Sequence, residues 1–348
     1  MNPSPVTLKD IAQAAGVSVM TVSYALRGSK QVAAATRDRI QELARKMGYA
    51  PDPMMSRLAT YRTQKKRTER RETLAWLNLH PTEATWKFRG SHVLEAFEGA
   101  QKRAPNFGYS LDMFSVPQLG GWAATNKVLR ARGIQGLVIG QPPDDDSYVA
   151  ELEWKYFATV AIGRAIQSPN LPRVVLNHVE AINRLIDQLN DRGYRRIGLV
   201  MEKEACRKNA FRNVSAYHGA CERRETPPDQ RVPPLLPDAL TAEILGQWIN
   251  EWKVEAIIVN RPDQMQTFLP QLGLQIPRDI GFAHLSLPGP DPWISGFQMN
   301  PEYYGSWAVD LVHWLLNREE KGLPDPAPTL NLTTLQWNEG QTLRPVKT

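Results

Sequence analysis

Three short runs of apolar residues at helical spacing, broken by glycines, open the chain and limit what its first fifty residues can become. Leu8, Ile11, Ala12 and Ala15 recur at helical spacing and so share one face of a short helix. Thr7 and Asp10 have the spacing of a capping box at its start, with Asp in place of Glu. Gly16 suits the turn that stops it. Ser18 is placed to cap a second helix, in which Val22 and Leu26 point inward while Val19, Met20, Ser23 and Tyr24 lie mostly outward. Gly28 ends that helix. A third carries Ile40, Leu43, Ala44 and Met47 in the same rhythm and closes at Gly48. Three such helices, with a glycine turn between the first two, make a helix-turn-helix whose second helix is shaped to enter a major groove.

Charge is concentrated in the same region. Residues 1–72 hold fourteen Lys and Arg against six Asp and Glu, a balance of +8, while the remaining 276 residues stand at −2. A field so localised suits a polyanion, either nucleic acid or an anionic membrane. The apolar periodicity argues against a merely solvated basic tail.

Other classes find little support. Cys206 and Cys221 lack metal-ligand spacing and read as reduced thiols of a cytoplasmic protein. No secretory leader opens the chain and no run of eighteen apolar residues occurs, so a soluble protein without a membrane partner is expected. The six histidines (80, 92, 178, 218, 284 and 313) are scattered. With no phosphate-cradling glycine loop, His-Glu-x-x-His pair or nucleophile elbow, neither catalysis nor a cofactor or metal is expected.

From Thr73 the pattern changes to apolar runs alternating with amphipathic helices. Strand-like runs at 73–79, 109–116, 133–140 and 157–163 alternate with helices predicted near 91–104 and 122–132. A second series has runs at 173–177, 195–201, 233–236 and 254–260, with helices near 178–192, 209–224 and 240–252. Runs at 279–285, 294–299 and 329–337 and a helix near 303–318 follow. Repeated βα units predict parallel sheets flanked by helices. Two series predict two lobes with a ligand cleft between them.

Residues 6–59, which contain VTLKDIA, AGVS and TVS in near gap-free register, strongly resemble the headpiece of the lactose-repressor (LacI) family. The large region resembles, more loosely, that family's periplasmic-binding-protein-like domain, through GIQGLVIG, LNDRGYRRIGLV, QIPRDIGF and the late WNEGQTL. The resemblance implies an all-α helix-turn-helix headpiece (1–52), a hinge helix and basic linker (53–72), and an α/β two-lobed domain (73–345) for effector binding and dimerisation. It further implies three chain crossings between lobes, near 164–170, 288–297 and 323–330.

The same resemblance assigns roles. Val19, Met20 and Tyr24 fall at base-reading positions. Thr7, Ser18, Thr21, Ser23, Arg27, Gln31 and Thr36 fall at phosphate-contacting ones. Ser56, Leu58 and Ala59 match the minor-groove hinge, where a Leu wedges between base steps. Implied partners are a double-stranded DNA operator, a second copy of the chain in a homodimer, and a small-molecule effector such as a sugar or sugar derivative. Candidate cleft residues are Trp86, Phe88, Arg89, Arg212, Asn213, Asn260, Arg261 and His284.

Departures from the family pattern are informative. Tyr24 replaces a common Arg, which removes a bidentate grip on guanine. Ala33 stands where the family has a capping Ser before the third helix, a loss of about 1 kcal/mol. In the cleft, Asn213 aligns with an Arg that grips ligand hydroxyls. Arg261 takes the second place of an Asn-Asp pair, and His284 follows Ala283 where a Gly-Phe-Asp motif loses its Asp. Either the ligand is not an ordinary free sugar, or other residues bind it, or the sensor is ligand-free. A ligand-binding protein whose headpiece no longer reads DNA is the remaining alternative.

Overall fold

The computed structural model describes residues 6–26, 32–49, 72–88, 91–143, 148–287, 289–333 and 335–346. The N-terminal unit packs helices α1 (Leu8–Ala15), α2 (Val19–Leu26) and α3 (Ala34–Lys46) around Ile11, Val22, Ala25, Val32, Ile40 and Ala44, all buried. Leu8, Ala15, Leu26, Leu43 and Met47 pack around that core while staying partly exposed. Gly16 sits at φ 68°, a left-handed conformation that a side chain rarely adopts, and this bend lets α2 turn back against α1.

The large region holds two sheets. The first is wholly parallel, in the order β12 (Thr329–Leu332), β7 (Arg173–Leu176), β5 (Ala158–Ile162), β3 (Gly136–Ile139), β1 (Glu72–Asn78), β2 (Tyr109–Ser115). Helices α4 (His92–Arg103), α5 (Trp122–Ala131) and, from far along the chain, α11 (Pro301–Asn317) belong to this lobe. The second sheet runs β13 (Gln336–Asn338), β11 (Gly296–Gln298), β10 (Gly281–Leu287), β9 (Ala256–Val259), β8 (Ile197–Val200), parallel except for the β11–β13 pair. With it go α6 (His178–Asp191), α7 (Lys203–Lys208), α8 (Arg212–Arg223), α9 (Ala242–Trp252) and α10 (Pro262–Gln271). A small parallel pair, β4 (Tyr148–Val149) and β6 (Ile166–Ser168), stands apart.

The chain crosses between lobes after β7, after β11 and after β12, each time later than expected at 164–170, 288–297 and 323–330. The run at 173–177 does not open the second lobe. It pairs with β5 and β12 in the first sheet, where Val174 and Leu176 are buried. The single run expected at 329–337 is two strands in different sheets, with the last crossing between them. The run at 233–236 contributes only an isolated bridge from Leu235 to Val200. Helix α10 was not foreseen. Among the described residues no helix is long and apolar enough to cross a membrane.

Candidate DNA-binding face and ligand cleft

The entry to α1 forms the capping box expected of Thr7 and Asp10. The Thr7 amide donates to Asp10 Oδ2 at 2.8 Å and the Asp10 amide to Thr7 Oγ1 at 3.4 Å. Hydrogen bonds from the Thr7 hydroxyl and amide hold the Asp10 carboxyl below the usual carboxylate range. Ser18 accepts from the Thr21 amide at 3.1 Å and so caps α2. Two contacts escaped the sequence reading. Arg39 donates to the Ala15 carbonyl at 3.2 Å and Gln41 to the Ala25 carbonyl at 2.9 Å, so α3 satisfies carbonyls at the ends of both earlier helices. Ala33 precedes α3 with no side-chain cap.

Val19 and Met20 are 45% and 65% exposed at the start of α2. They are apolar side chains that the bundle leaves uncovered. Tyr24 differs from its expected outward placement: it is half-buried, because its ring packs partly against the bundle core. Thr7 and Ser18 are exposed, while Thr21, Ser23 and Thr36 are half-buried. Arg27, Gln31, Ser56, Leu58, Ala59 and Arg89 lie outside the described residues.

A cleft of about 450 Å³ lies between the lobes, at the C-terminal ends of strands from both sheets. That is where open α/β sheets present ligand sites, and the volume suits a small molecule. Gln141 follows β3 and Arg164 follows β5 on one wall; Met201 follows β8 and Asn260 follows β9 on the other. Asn213, Asn260, Arg261 and His284 all line it, so the structure brings these four candidates together.

Three of them are engaged by the protein itself. The buried Asn213 accepts from His178 Nδ1 at 2.6 Å and donates to Met201 Sδ at 3.4 Å. Arg261 forms a forked pair with Asp263, at 3.2 and 3.0 Å. His284 receives the Ser286 amide on Nδ1 at 3.0 Å, which requires the Nε2–H tautomer, and Nε2 then donates to the Asn260 carbonyl at 3.1 Å. Burial, first of all, pushes the His284 imidazole down to about 4, with the Asn260 hydrogen bond opposing. His284 is therefore a neutral wall residue with both nitrogens committed.

The remaining cleft candidates are corrected. Trp86 is buried in the core cluster that holds Trp76, Val93 and Ala96 and does not line the cleft. Phe88 is exposed and is likewise not among the lining residues. Arg212 lines a neighbouring cavity of about 430 Å³, with Asn177, His178 and Asn331. His178 belongs to both cavities, so the two communicate through one imidazole.

Charge around that imidazole is one-sided. Among the described residues no Asp or Glu lines the main cleft. Among the described residues no carboxylate pairs with Arg164, Arg173 or Arg212. Nε of Arg164 and of Arg212 is buried without a hydrogen-bond partner among those residues. Arg173 is buried and held by the Leu171 and Ile166 carbonyls, at 3.0 and 3.1 Å. Burial, then the charges of Arg212 and Arg173, push the Arg164 guanidinium down to about 10, still a cation at neutral pH. His178 is pushed down by burial and by Arg212 and Arg164, against its bond to Asn213. Arg164 was readable in principle: it follows directly on the C-terminal end of a buried strand.

A three-helix headpiece with a glycine turn is carried in one chain with a two-lobed α/β domain that has a cleft at its strand ends. Residues 7–52 match the family described as "Bacterial regulatory proteins, lacI family". The chain is 26% identical over 221 residues to the HTH-type transcriptional regulator PtxS of Pseudomonas plecoglossicida, across 63% of this chain and 60% of that one. The chain spans about half to three-fifths of the length of the curated relatives it matches. In fold it is similar to the lac repressor dimer bound to operator and the anti-inducer ONPF (TM-score 0.51, 18% identity, 97% of this chain and 99% of that one). It is similar also to the transcriptional regulator CelR in complex with cellobiose (TM-score 0.52, 16% identity, 97% and 99%).

Proposed function

We propose that the chain is a sequence-specific DNA-binding transcriptional regulator, a repressor by the habit of its family. It binds a near-palindromic operator as a homodimer, and a small molecule in the cleft changes its affinity. The observation that carries this reading is the exposed Val19–Met20 pair at the start of α2, on a headpiece of matching family and basic charge. Apolar side chains there are suited to thymine methyl groups, while the Thr and Ser hydroxyls around them are suited to phosphates that fix register. One headpiece reads a half-site, so two-fold symmetry follows from a palindrome.

The working division is a headpiece at 1–52, a hinge and basic linker at 53–72, and a sensor at 73–345. Leu58 serves as the minor-groove wedge when two hinges meet on DNA. The protein acts by binding rather than by catalysis, in the cytoplasm on the nucleoid. Its effector belongs to the sugars or their derivatives, since Gln141, Asn209 and Asn260 offer amide groups on a cleft of monosaccharide scale.

The test is selection from random duplexes with the full-length protein. Enrichment of one near-palindrome, with binding that falls steeply with salt, is the expected result. Uniform binding to all duplexes would reject sequence-specific regulation and leave a general DNA binder.

A further inference from the structure

The cavity of about 430 Å³ beside the cleft has its own walls and its own charge. Arg212, Ser215, Ala216, Gly219 and Arg223 recur at helical spacing and put one face of α8 along its length, with an arginine at each end. The start of α6 and Asn331 of β12 close the other sides, so the cavity touches both lobes beside the crossings that follow β7 and β12. Among the described residues no acid lines it, and the chain flanking its walls, residues 173–187, 209–227 and 329–333, is described throughout. The acids on that flanking chain nearest in sequence are committed elsewhere: Glu180 to Arg184, Asp187 to Arg224 and Glu222 to Arg231.

Neither arginine of the cavity pairs with a carboxylate among the described residues. Arg223 is held only by Asn183 Oδ1 on α6, at 2.9 Å, and Nε of Arg212 is buried without a partner among those residues. Burial and then the charge of Arg212 push the Arg173 guanidinium down, so Arg212 adds to a local surplus of positive charge. A guanidinium partly withdrawn from water without a counter-charge is costly, and a charge-assisted hydrogen bond to an oxyanion offsets that cost. The two arginines are eleven residues apart, about 16 Å along the helix at 1.5 Å per residue. One compact anion does not span that distance, whereas an elongated molecule with an acidic group at each end does.

We propose that this cavity is a second ligand site, separate from the inter-lobe cleft, for a small elongated dianion with one oxyanion group on Arg212 and the other on Arg223. It does not depend on what fills the cleft. Asn183, Ser215 and Asn331 supply polar contacts along the middle.

Thermal-shift measurements followed by titration calorimetry on the full-length protein test this at constant ionic strength. The probes are adipate and hexane-1,6-diyl bisphosphate, with hexanoate and hexyl phosphate as their single-headed counterparts. The expected result is that a two-headed probe raises the melting temperature more than its single-headed counterpart, since only a species bound to the folded state stabilises it. Adipate and the bisphosphate separate a carboxylate ligand from a phosphorylated one. Arg212→Gln should weaken the binding by about tenfold to a hundredfold, the worth of a charge-assisted hydrogen bond, and Arg212→Lys should restore part of it. Arg223→Gln, at an exposed position, should weaken it by about threefold and keeps the comparison available should Arg212→Gln fail to fold. Four outcomes overturn the proposal: no probe stabilises, single-headed probes stabilise as well as two-headed ones, both variants bind as wild type does, or binding survives Arg212→Gln but is lost in Arg164→Met, which would place the anion in the inter-lobe cleft.

Discussion

His284 makes a measurable demand on stability below neutral pH. In the folded protein its imidazole is 7% exposed, accepts from the Ser286 amide and donates to the Asn260 carbonyl, and titrates at about 4. In the unfolded chain it titrates near the ordinary value of about 6.5. Between these two values the unfolded state binds the extra proton, so stability falls as pH falls, by up to about 1.4 kcal/mol per unit. The contribution is intact above the unfolded value, and about 2 kcal/mol of it is gone by pH ~4.5. His178, also pushed down by burial, adds a loss of the same sign, so wild type alone does not isolate the effect.

His284→Asn does isolate it, because an amide keeps one donor and one acceptor but does not titrate. Guanidinium unfolding followed by tryptophan fluorescence is the assay. All ten tryptophans lie beyond residue 75, so the headpiece contributes no signal. The variant starts less stable at neutral pH, and the gap to wild type should narrow by about 2 kcal/mol on acidification. Parallel pH profiles for the two proteins would refute the claim that the fold holds His284 neutral.

Four further outcomes are expected. Ala33→Ser should supply the missing cap of α3 and stabilise the headpiece by about 1 kcal/mol, read as slower amide exchange in α3; unchanged exchange rejects the missing-cap explanation. Met20→Ala should alter the preferred base at one position of each half-site and leave the salt dependence unchanged; an identical selected site would remove Met20 from base reading. Leu58→Ala should weaken operator binding far more than random-duplex binding, and an equal loss on both excludes a wedge. At Gly305 in α11 an added Cβ would lie 1.7 Å from the Ala96 carbonyl oxygen of α4, so Gly305→Ala should force the helices apart at a cost of about 1–3 kcal/mol; a wild-type melting temperature contradicts that packing.

The headpiece was legible because a three-helix bundle is encoded locally. Ile11, Val22, Ile40 and Ala44 are the inward positions of three 3.6-residue patterns, and the caps sit at the ends of those patterns. Tyr24 shows the limit of that signal. Periodicity names a face, whereas a residue at the edge of the face leans by the shape of its neighbours, and a tyrosine ring is large enough to reach the core while staying half-exposed. The lobe crossings were illegible for a different reason. A buried parallel strand is apolar throughout whichever sheet it joins, so nothing within 173–176 says that its partners are β5 and β12. Trp86 was misplaced by the same ambiguity: an aromatic after a strand packs as readily into a core as into a cleft, and here the core took it.

The cleft was half legible, and the missing half concerns charge. Against the family pattern the sequence shows an Arg replaced by Asn213 and two acids replaced by Arg261 and by Ala283, which His284 follows. Counted as hydrogen-bonding groups, these changes read only as losses, which favoured a changed ligand without excluding an idle sensor. The structure adds where the substitutes point their capacity. Asn213 is spent on His178 and Met201, Arg261 on Asp263, and His284 on backbone. None of the three is left as an orphan, so the replacements are accommodated as wall. What stays uncompensated among the described residues is Nε of Arg164 and of Arg212, each buried without a hydrogen-bond partner.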